Sequence, residues 1–414
     1  MSNLSPSKIL LTSSLISGIG SQLTLLSIPI LAVSYLHYSP EQYSFLMTGQ
    51  SVAAIIFLPL AGIYIDKLSP FYISKIANLS SAISILILFL FLNFNINQFW
   101  LVYVSLILVN SCSCFITVAD GSMPPFIFKD TNKLHSFNSS LATIAAIVAI
   151  LGPSLGAIFV NKIPPSSLLL IDALSFFIAF LLVRKIYKEY LFHNKSSNSS
   201  GISWWKNALS GFLQIWVHLP VRWTSLVTAA SNFSLSCTNV VLAFSIIKIL
   251  GVDALGIIYA MGGLGALIGS LIAGKLPFLD SPKIPMITSL TVVSVSYTTI
   301  GIIFTSNKLL STLIVGSLLA IGDLFIILYN IYSIRIRQQY CAKEIQGRTT
   351  AAVRLLSRIS SLFGTLLGGF ILSRFDVIFS FIFIGSLFST IAFLSLLTSS
   401  KYLGALDSSL GTPI

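Results

Sequence analysis

The sequence predicts an all-α membrane protein, with twelve transmembrane helices in two pseudo-symmetric six-helix bundles. Three observations predict it. Of 414 residues, 55% are apolar and only 9% charged, far below the roughly 25% charged of soluble domains, and mean hydropathy is +0.93. Apolar runs of bilayer-spanning length, about 20 residues, recur almost end to end. The one long polar interruption falls between the sixth and seventh of them.

In order, the predicted spans cover 9–35, 43–65, 73–93, 99–121, 139–161, 166–185, 224–246, 253–275, 285–305, 309–331, 350–372 and 377–398. The first is too long for the apolar core of a signal peptide and stays in the mature protein. Tight loops join the early spans at His37 to Gln42, Asn93 to Gln98 and Asn161 to Pro165. The polar stretch from Tyr187 to Arg222 opens with Asn194-Lys195-Ser196-Ser197-Asn198-Ser199-Ser200-Gly201, a flexible-linker composition. Behind it Trp204, Trp205, Leu209, Phe212, Leu213 and Trp216 recur at helical spacing, as in an amphipathic helix on the inner interface. The predicted organisation is residues 1–186, a linker over 187–222, and 223–414. An internal match supports it: Leu151-Gly152-Pro153-Ser154-Leu155-Gly156-Ala157 overlays Phe363-Gly364-Thr365-Leu366-Leu367-Gly368-Gly369 at an offset of 212 residues. A Gly-rich helix at matching places in two six-span halves is a transporter pattern.

The net charge of +12 is a topology signal rather than a nucleic-acid signal. With the N-terminus inside, twenty Lys and Arg fall on the inner side and only Lys162, Lys248, Lys308 and Arg374 outside. This places both termini in the cytoplasm, and the membrane is read as the cell inner membrane. All five Trp fall near predicted interfaces, as an aromatic belt requires. Cys112, Cys114, Cys237 and Cys341 show no C-x-x-C spacing and read as packing residues. No nucleotide-binding loop, metal-ligand spacing or partnered nucleophile is present, which excludes an ATP-driven pump and a soluble enzyme and implies no cofactor.

The turn Ala61-Gly62-Ile63-Tyr64-Ile65-Asp66-Lys67 joins two spans. Gly62 is read as a point of close helix approach. Asp66 is read as the start of the next helix, where the positive dipole end favours a carboxylate, and Lys67 as an inner-side anchor. The turn reads as half of a latch between helices that separate and re-form. Asp323 lies in the middle of span ten. A carboxylate there costs about 2.5–3.5 kcal/mol on insertion scales and faces a cavity or a partner. It is either a proton carrier or half of a fixed pair with Arg354 or Arg358. Those two arginines, four apart, share one face of span eleven; they either hold an anionic substrate or pair with Asp323 or Asp120. Gln22 and Asn330 either line a cavity or bond across helices. Gly152-Pro153, with Gly156, interrupts the hydrogen-bond ladder of span five and permits bending.

These residues carry a resemblance. Gly62-x-x-x-Asp66-Lys67 resembles the signature between spans two and three of the major facilitator superfamily, although Pro70 and Phe71 replace its basic pair and Lys75 is the nearest substitute. Within it, the chain resembles the macrolide-efflux and enterobactin-exporter branch of drug–proton antiporters. The patterns are Met123-Pro124-Pro125, Asn138 before Gly152-Pro153-x-x-Gly156, Ile171-Asp172-Ala173-Leu174-Ser175-Phe176, Arg337-Gln338, Gly347-Arg348 with Arg354, and Leu367-Gly368-Gly369. Where the branch often has an acid in span one, Ser21 stands. The resemblance implies two halves rocking about a central cavity, with Asp66 meeting the start of span eleven and Arg348. Asp120 is assigned to the same gate network with Lys67 or Lys75, and Asp172 is either a helix-start acid or a proton site. The resulting expectation is a monomeric, proton-coupled exporter of an amphipathic drug or siderophore, working among membrane lipids with no nucleic-acid partner. A lipid or lysolipid flippase, a siderophore importer of the same fold, and a transport-inactive scaffold or receptor are the alternatives.

Overall fold

The computed structural model describes residues 5–94, 96, 98–128, 130–160, 162–189, 204–273, 283–303, 308–341 and 343–409. The predicted linker segment Asn194–Gly201 lies outside them. In chain order the helices are α1 (Pro6–Ile30, continued by a π turn over Leu31–Tyr35), α2 (Pro40–Lys67), α3 (Pro70–Asn93), α4 (Phe99–Ser122), α5 (Pro124–Ile127), α6 (Thr131–Val160) and α7 (Pro165–Glu189). After the linker come α8 (Trp204–Val217), α9 (Leu219–Ile249), α10 (Val252–Ala273), α11 (Lys283–Ile302), α12 (Lys308–Tyr340), α13 (Lys343–Arg374) and α14 (Val377–Ser409). All but α5 and α8 are long and apolar enough to cross a membrane, giving twelve spans at the twelve predicted places.

Proline sets many of the starts. Pro6, Pro40, Pro70, Pro124 and Pro165 each stand first in a helix, where the missing N–H has no partner to lose and φ is already helical. Within α1, Pro29 cannot donate to the preceding turn, and the helix widens into the π turn two residues later. The turns after the first and seventh spans each use one left-handed residue, His37 at φ 51° and Gly251 at φ 100°.

Two boundaries differ from the sequence pattern. The turn reading puts Asp66 at the start of α3, but it lies in the last turn of α2. Pro70 opens α3 and holds Ser69 extended at φ −59°, ψ 131°, so that helix has no room to begin earlier. The negative dipole end there favours Lys67 rather than the acid. Hydropathy ends span ten at 331, but α12 continues to Tyr340. Arg335 and Arg337 lower the hydropathy without lowering helix propensity, since arginine is among the good helix formers.

The chain divides into two compact units, Met1–Ser39 with Phe45–Ser200 and Gly251–Ala260, and Pro40–Ser44 with Gly201–Leu250 and Met261–Ile414. In the first, α1 packs on α6 and α7, and α3 on α4 and α7; in the second, α9 packs on α13 and α14, and α11 on α12 and α14. These are the same helix pairs one repeat apart. In lipid, packing is driven by van der Waals contact and interhelical hydrogen bonds rather than by apolar burial alone, so small residues decide where backbones meet. Ile56, Leu108, Leu181, Phe363 and Leu397 are exposed, as side chains facing acyl chains would be. Many hydroxyls inside the bundles bond to the preceding turn, as Ser111 does to the Ile107 carbonyl and Thr365 to that of Ser361, whereas those of Ser231, Ser234, Ser245 and Ser395 are enclosed without a partner.

Candidate functional site

In the first unit three contacts align α6 on α1 at four-residue intervals. A Cβ built at Gly18 would lie 3.1 Å from Val148, one at Gly152 2.2 Å from the Cβ of Gln22, and one at Gly156 2.3 Å from Leu26. Gln22 and Gly152, singled out separately in the sequence, are thus one contact. α6 stays helical through Gly152-Pro153; the Pro153 side chain lies outside the described residues.

The other side of α1 meets α7 through polar groups. Thr24 donates from Oγ1 to Oδ2 of Asp172 at 2.5 Å, and Ser175 donates to Oδ1 at 3.2 Å. Gly20 makes room, since a Cβ there would meet Ser175 and Asp172. Asp172 is 1% exposed. It is a carboxylate held by neutral hydroxyls between two helices, two turns into α7.

The remaining residues of the predicted gate fall as follows. Gly62 has nothing within 4 Å of a built Cβ, so no described neighbour approaches closely there. Lys67 is exposed, and the Asp66 side chain lies outside the described residues. Lys75 stacks its ammonium over Tyr187 at 4.1 Å and Tyr72 at 4.8 Å, a cation–π cradle. Asp120 accepts from Ser74 Oγ at 2.9 Å, and Asn78 in turn donates to Ser74. Among the described residues, Asp120 therefore meets a serine hydroxyl rather than the lysine. Arg348 is exposed at its side chain, while its backbone packs on α8, where a Cβ at Gly211 would lie 2.4 Å from its carbonyl oxygen. Phe212 and Ile215 of α8 continue that contact onto Ala352 and Val353 of α13, while Leu213 and Trp216 stay exposed.

In the second unit α10 lays a row of glycines against α12. A Cβ at Gly265 would lie 2.0 Å from the Ala320 carbonyl oxygen, one at Gly269 2.7 Å from that of Leu324, and one at Gly262 2.7 Å from Oδ2 of Asp323. Asp323 thus faces bare backbone. Within electrostatic reach lies Tyr297 of α11, which is wholly buried and has a hydroxyl with no hydrogen-bond partner. Asp323 forms no ion pair with a described residue, and neither does Arg354 or Arg358; both arginines are exposed on α13. The fixed pairs weighed from the sequence are therefore not formed among the described residues.

Asp323, Asn330 and Arg337 stand seven apart, or two helical turns, and so line one stripe of α12. Arg337 is the member that residue-type reasoning missed as a site. Its signal was this heptad spacing, hidden because hydropathy closes the span too early. Tyr297 was missed because its relation to Asp323 is between helices and leaves no local trace.

Comparison with known proteins agrees with this architecture. The family model described as Major Facilitator Superfamily matches residues 10–333. The MFS-type transporter YfiS of Bacillus subtilis (strain 168) is 24% identical over 222 residues, 53% of this chain and 51% of that protein; the match spans about half the relative's length. Solved structures share the fold at low identity. The nucleoside transporter NupG superposes with a TM-score of 0.78 at 12% identity, covering 95% of this chain and 99% of that one. A bacterial homologue of the iron transporter ferroportin, in an inward-facing state, gives 0.77 at 16% identity, covering 97% and 99%. A bacterial homologue of the human lysosomal transporter Spinster gives 0.65 at 11%, covering 97% and 95%. With twelve spans, a repeated helix-pairing scheme and a family match over more than three quarters of its length, the chain belongs to the major facilitator superfamily.

Proposed function

We propose that the chain is a secondary active transporter of the cell inner membrane, with both termini cytoplasmic. It exports an amphipathic small molecule, of the drug or siderophore kind, in exchange for protons. The observation that carries the coupling is Asp323, a mid-span acid with no described cation partner, set against the bare backbone of Gly262 and within electrostatic reach of Tyr297, whose hydroxyl is unpartnered. A neutral acid is far cheaper to hold in hydrocarbon than a carboxylate. Gaining and losing a proton is thus a large local energy change, available to bias a conformational equilibrium. Arg354, Arg358 and Asn330 supply polar groups for cargo in the same unit.

The two units exchange access to the cargo site by moving as bodies. Asp66 and Arg348 close the cytoplasmic side, and Lys67, Lys75 and Asp120 hold the helix ends that bear the latch. The fold alone does not choose a cargo, since the similar structures are named for nucleosides and for iron. Export by a drug–proton antiport route rests on the sequence resemblance to the macrolide-efflux and enterobactin-exporter branch.

The test is transport in proteoliposomes under an imposed pH gradient, scanned over macrolides and siderophores. Uptake into vesicles that depends on the gradient, exceeds protein-free vesicles and falls in Asp66→Asn supports the reading. No gradient-dependent flux of any candidate, with folded protein in the vesicles, contradicts it.

A further inference from the structure

We propose that the second unit carries an oxyanion-binding site built by Arg337 of α12 and Arg354 of α13. Arg337 is under-bonded where it sits. Its Nε is enclosed and makes no hydrogen bond. One Nη1 donates to Ser333 Oγ at 3.3 Å, a hydroxyl that is itself 1% exposed and bonded to Thr228 at 3.2 Å. The one acceptor that Arg337 meets among the described residues is thus a neutral, already engaged hydroxyl. Tyr340, three residues on and so beside it on the helix surface, also has an enclosed hydroxyl without a partner.

The second cation makes the imbalance larger. Arg354 lies within electrostatic reach of Arg337, and no described carboxylate pairs with either. Two nearby guanidinium charges repel, and Arg337, enclosed at its Nε with no described counter-charge, is costly to keep charged. An arginine fork is matched by the two oxygens of a carboxylate or phosphate, which it binds bidentately. One oxyanion would bond the idle Nε and neutralise both guanidinium groups.

The chemistry fits two sources. One is a soluble carboxylate or phosphate, including an anionic group on a cargo. The other is the phosphate of an anionic phospholipid, because Arg337 lies three residues from the end of α12, about 4.5 Å along the axis. The site does not depend on the transport reading: it is a binding claim and is read without transport.

The experiment uses the purified full chain in an uncharged detergent. Thermal unfolding is followed against inorganic phosphate, with potassium chloride at equal ionic strength as control, and against phosphatidylglycerol, with phosphatidylcholine as control. A saturable rise in midpoint with phosphate or with phosphatidylglycerol, above its control, is expected. Arg337→Gln and Arg354→Gln should each weaken that apparent affinity at least tenfold, while Arg374→Gln, exposed at the far end of α13, leaves it unchanged. A phosphate response that the lipid does not exceed identifies a soluble anion; a response to the lipid alone identifies a headgroup. Absence of a saturable response to either probe, or a response retained at parental affinity in folded Arg337→Gln or in Arg354→Gln, overturns the proposal. Should Arg337→Gln fail to fold, Arg354→Gln, whose side chain is exposed, decides the matter.

Discussion

Asp172 in the first unit and Asp323 in the second are both acids within spans, but their surroundings differ. Asp172 is 1% exposed and accepts from Thr24 and Ser175 across the α1–α7 contact. Asp323 faces the backbone of Gly262 and lies within electrostatic reach of Tyr297, whose hydroxyl is unpartnered. A carboxyl group whose oxygens are already bonded to fixed donors contributes to packing, and moving it breaks those bonds. One that faces bare glycine backbone, with no described donor bonded to it, loses no such bond when it changes protonation or partner. The difference separates an acid that joins helices from an acid that can respond.

The sharpest way to break this comparison is through the glycines beneath Asp323. Gly265→Ala puts a methyl 2.0 Å from the Ala320 carbonyl oxygen, where backbone must move. Overpacking of this kind costs about 1–3 kcal/mol or more, so the yield of folded protein by size-exclusion chromatography should collapse. Gly262→Ala meets the Asp323 carboxylate at 2.7 Å and Leu319 at 3.1 Å, which side-chain motion can relieve. That variant should fold and lose gradient-driven transport. Equal folded yields for the two would remove the claim that Asp323 sits over a close backbone contact.

Next in size is the first-unit acid. Asp172→Ala strips the acceptor from Thr24 and the longer of two bonds from Ser175, which keeps the residue-172 carbonyl, and should lower stability by about 1–3 kcal/mol, seen in thermal unfolding, with transport per folded molecule retained. A variant as stable as the parent but without transport would reverse the roles of the two acids. The smallest effect concerns Cys341, in the turn between α12 and α13. It is buried, and burial pushes its thiol above the usual range, against weaker opposing effects of Thr349 and Arg337. Less thiolate is then present near pH 7, and the thiolate is the reactive form. N-ethylmaleimide should label Cys341 more slowly than a free peptide thiol at pH 7, with the rate rising as pH increases.

Much of this was legible in the sequence. Twelve spans follow from apolar runs, and the repeat follows from Gly152 and Gly156 recurring as Gly364 and Gly368. The structure gives that repeat a physical meaning, because both pairs sit at the same helix contact. Gly152 and Gly156 receive Gln22 and Leu26 of α1, and Gly364 and Gly368 receive Phe233 and Cys237 of α9. It also shows an asymmetry that glycine spacing cannot express. A Cβ on the first pair would meet side chains, whereas one on Gly364 would lie 2.0 Å from the Phe233 carbonyl oxygen and one on Gly368 2.8 Å from that of Cys237. What stayed hidden is of two kinds. Asp66 and Arg337 were misplaced relative to helix ends because hydropathy tracks lipid contact, while proline and helix propensity decide where a helix stops. Tyr297, and the hydroxyls around Asp172, depend on contacts between residues distant in the chain, which a single sequence does not encode in its local pattern.

The central claim is that Asp323, and not Asp172, carries the coupled proton. The most direct measurement is proton movement in proteoliposomes loaded with a pH-sensitive dye, started by adding a transported substrate. Parent and Asp172→Asn proteins should both move protons with substrate, and Asp323→Asn should bind substrate but move none. Proton movement at the parent rate in folded Asp323→Asn would contradict the account.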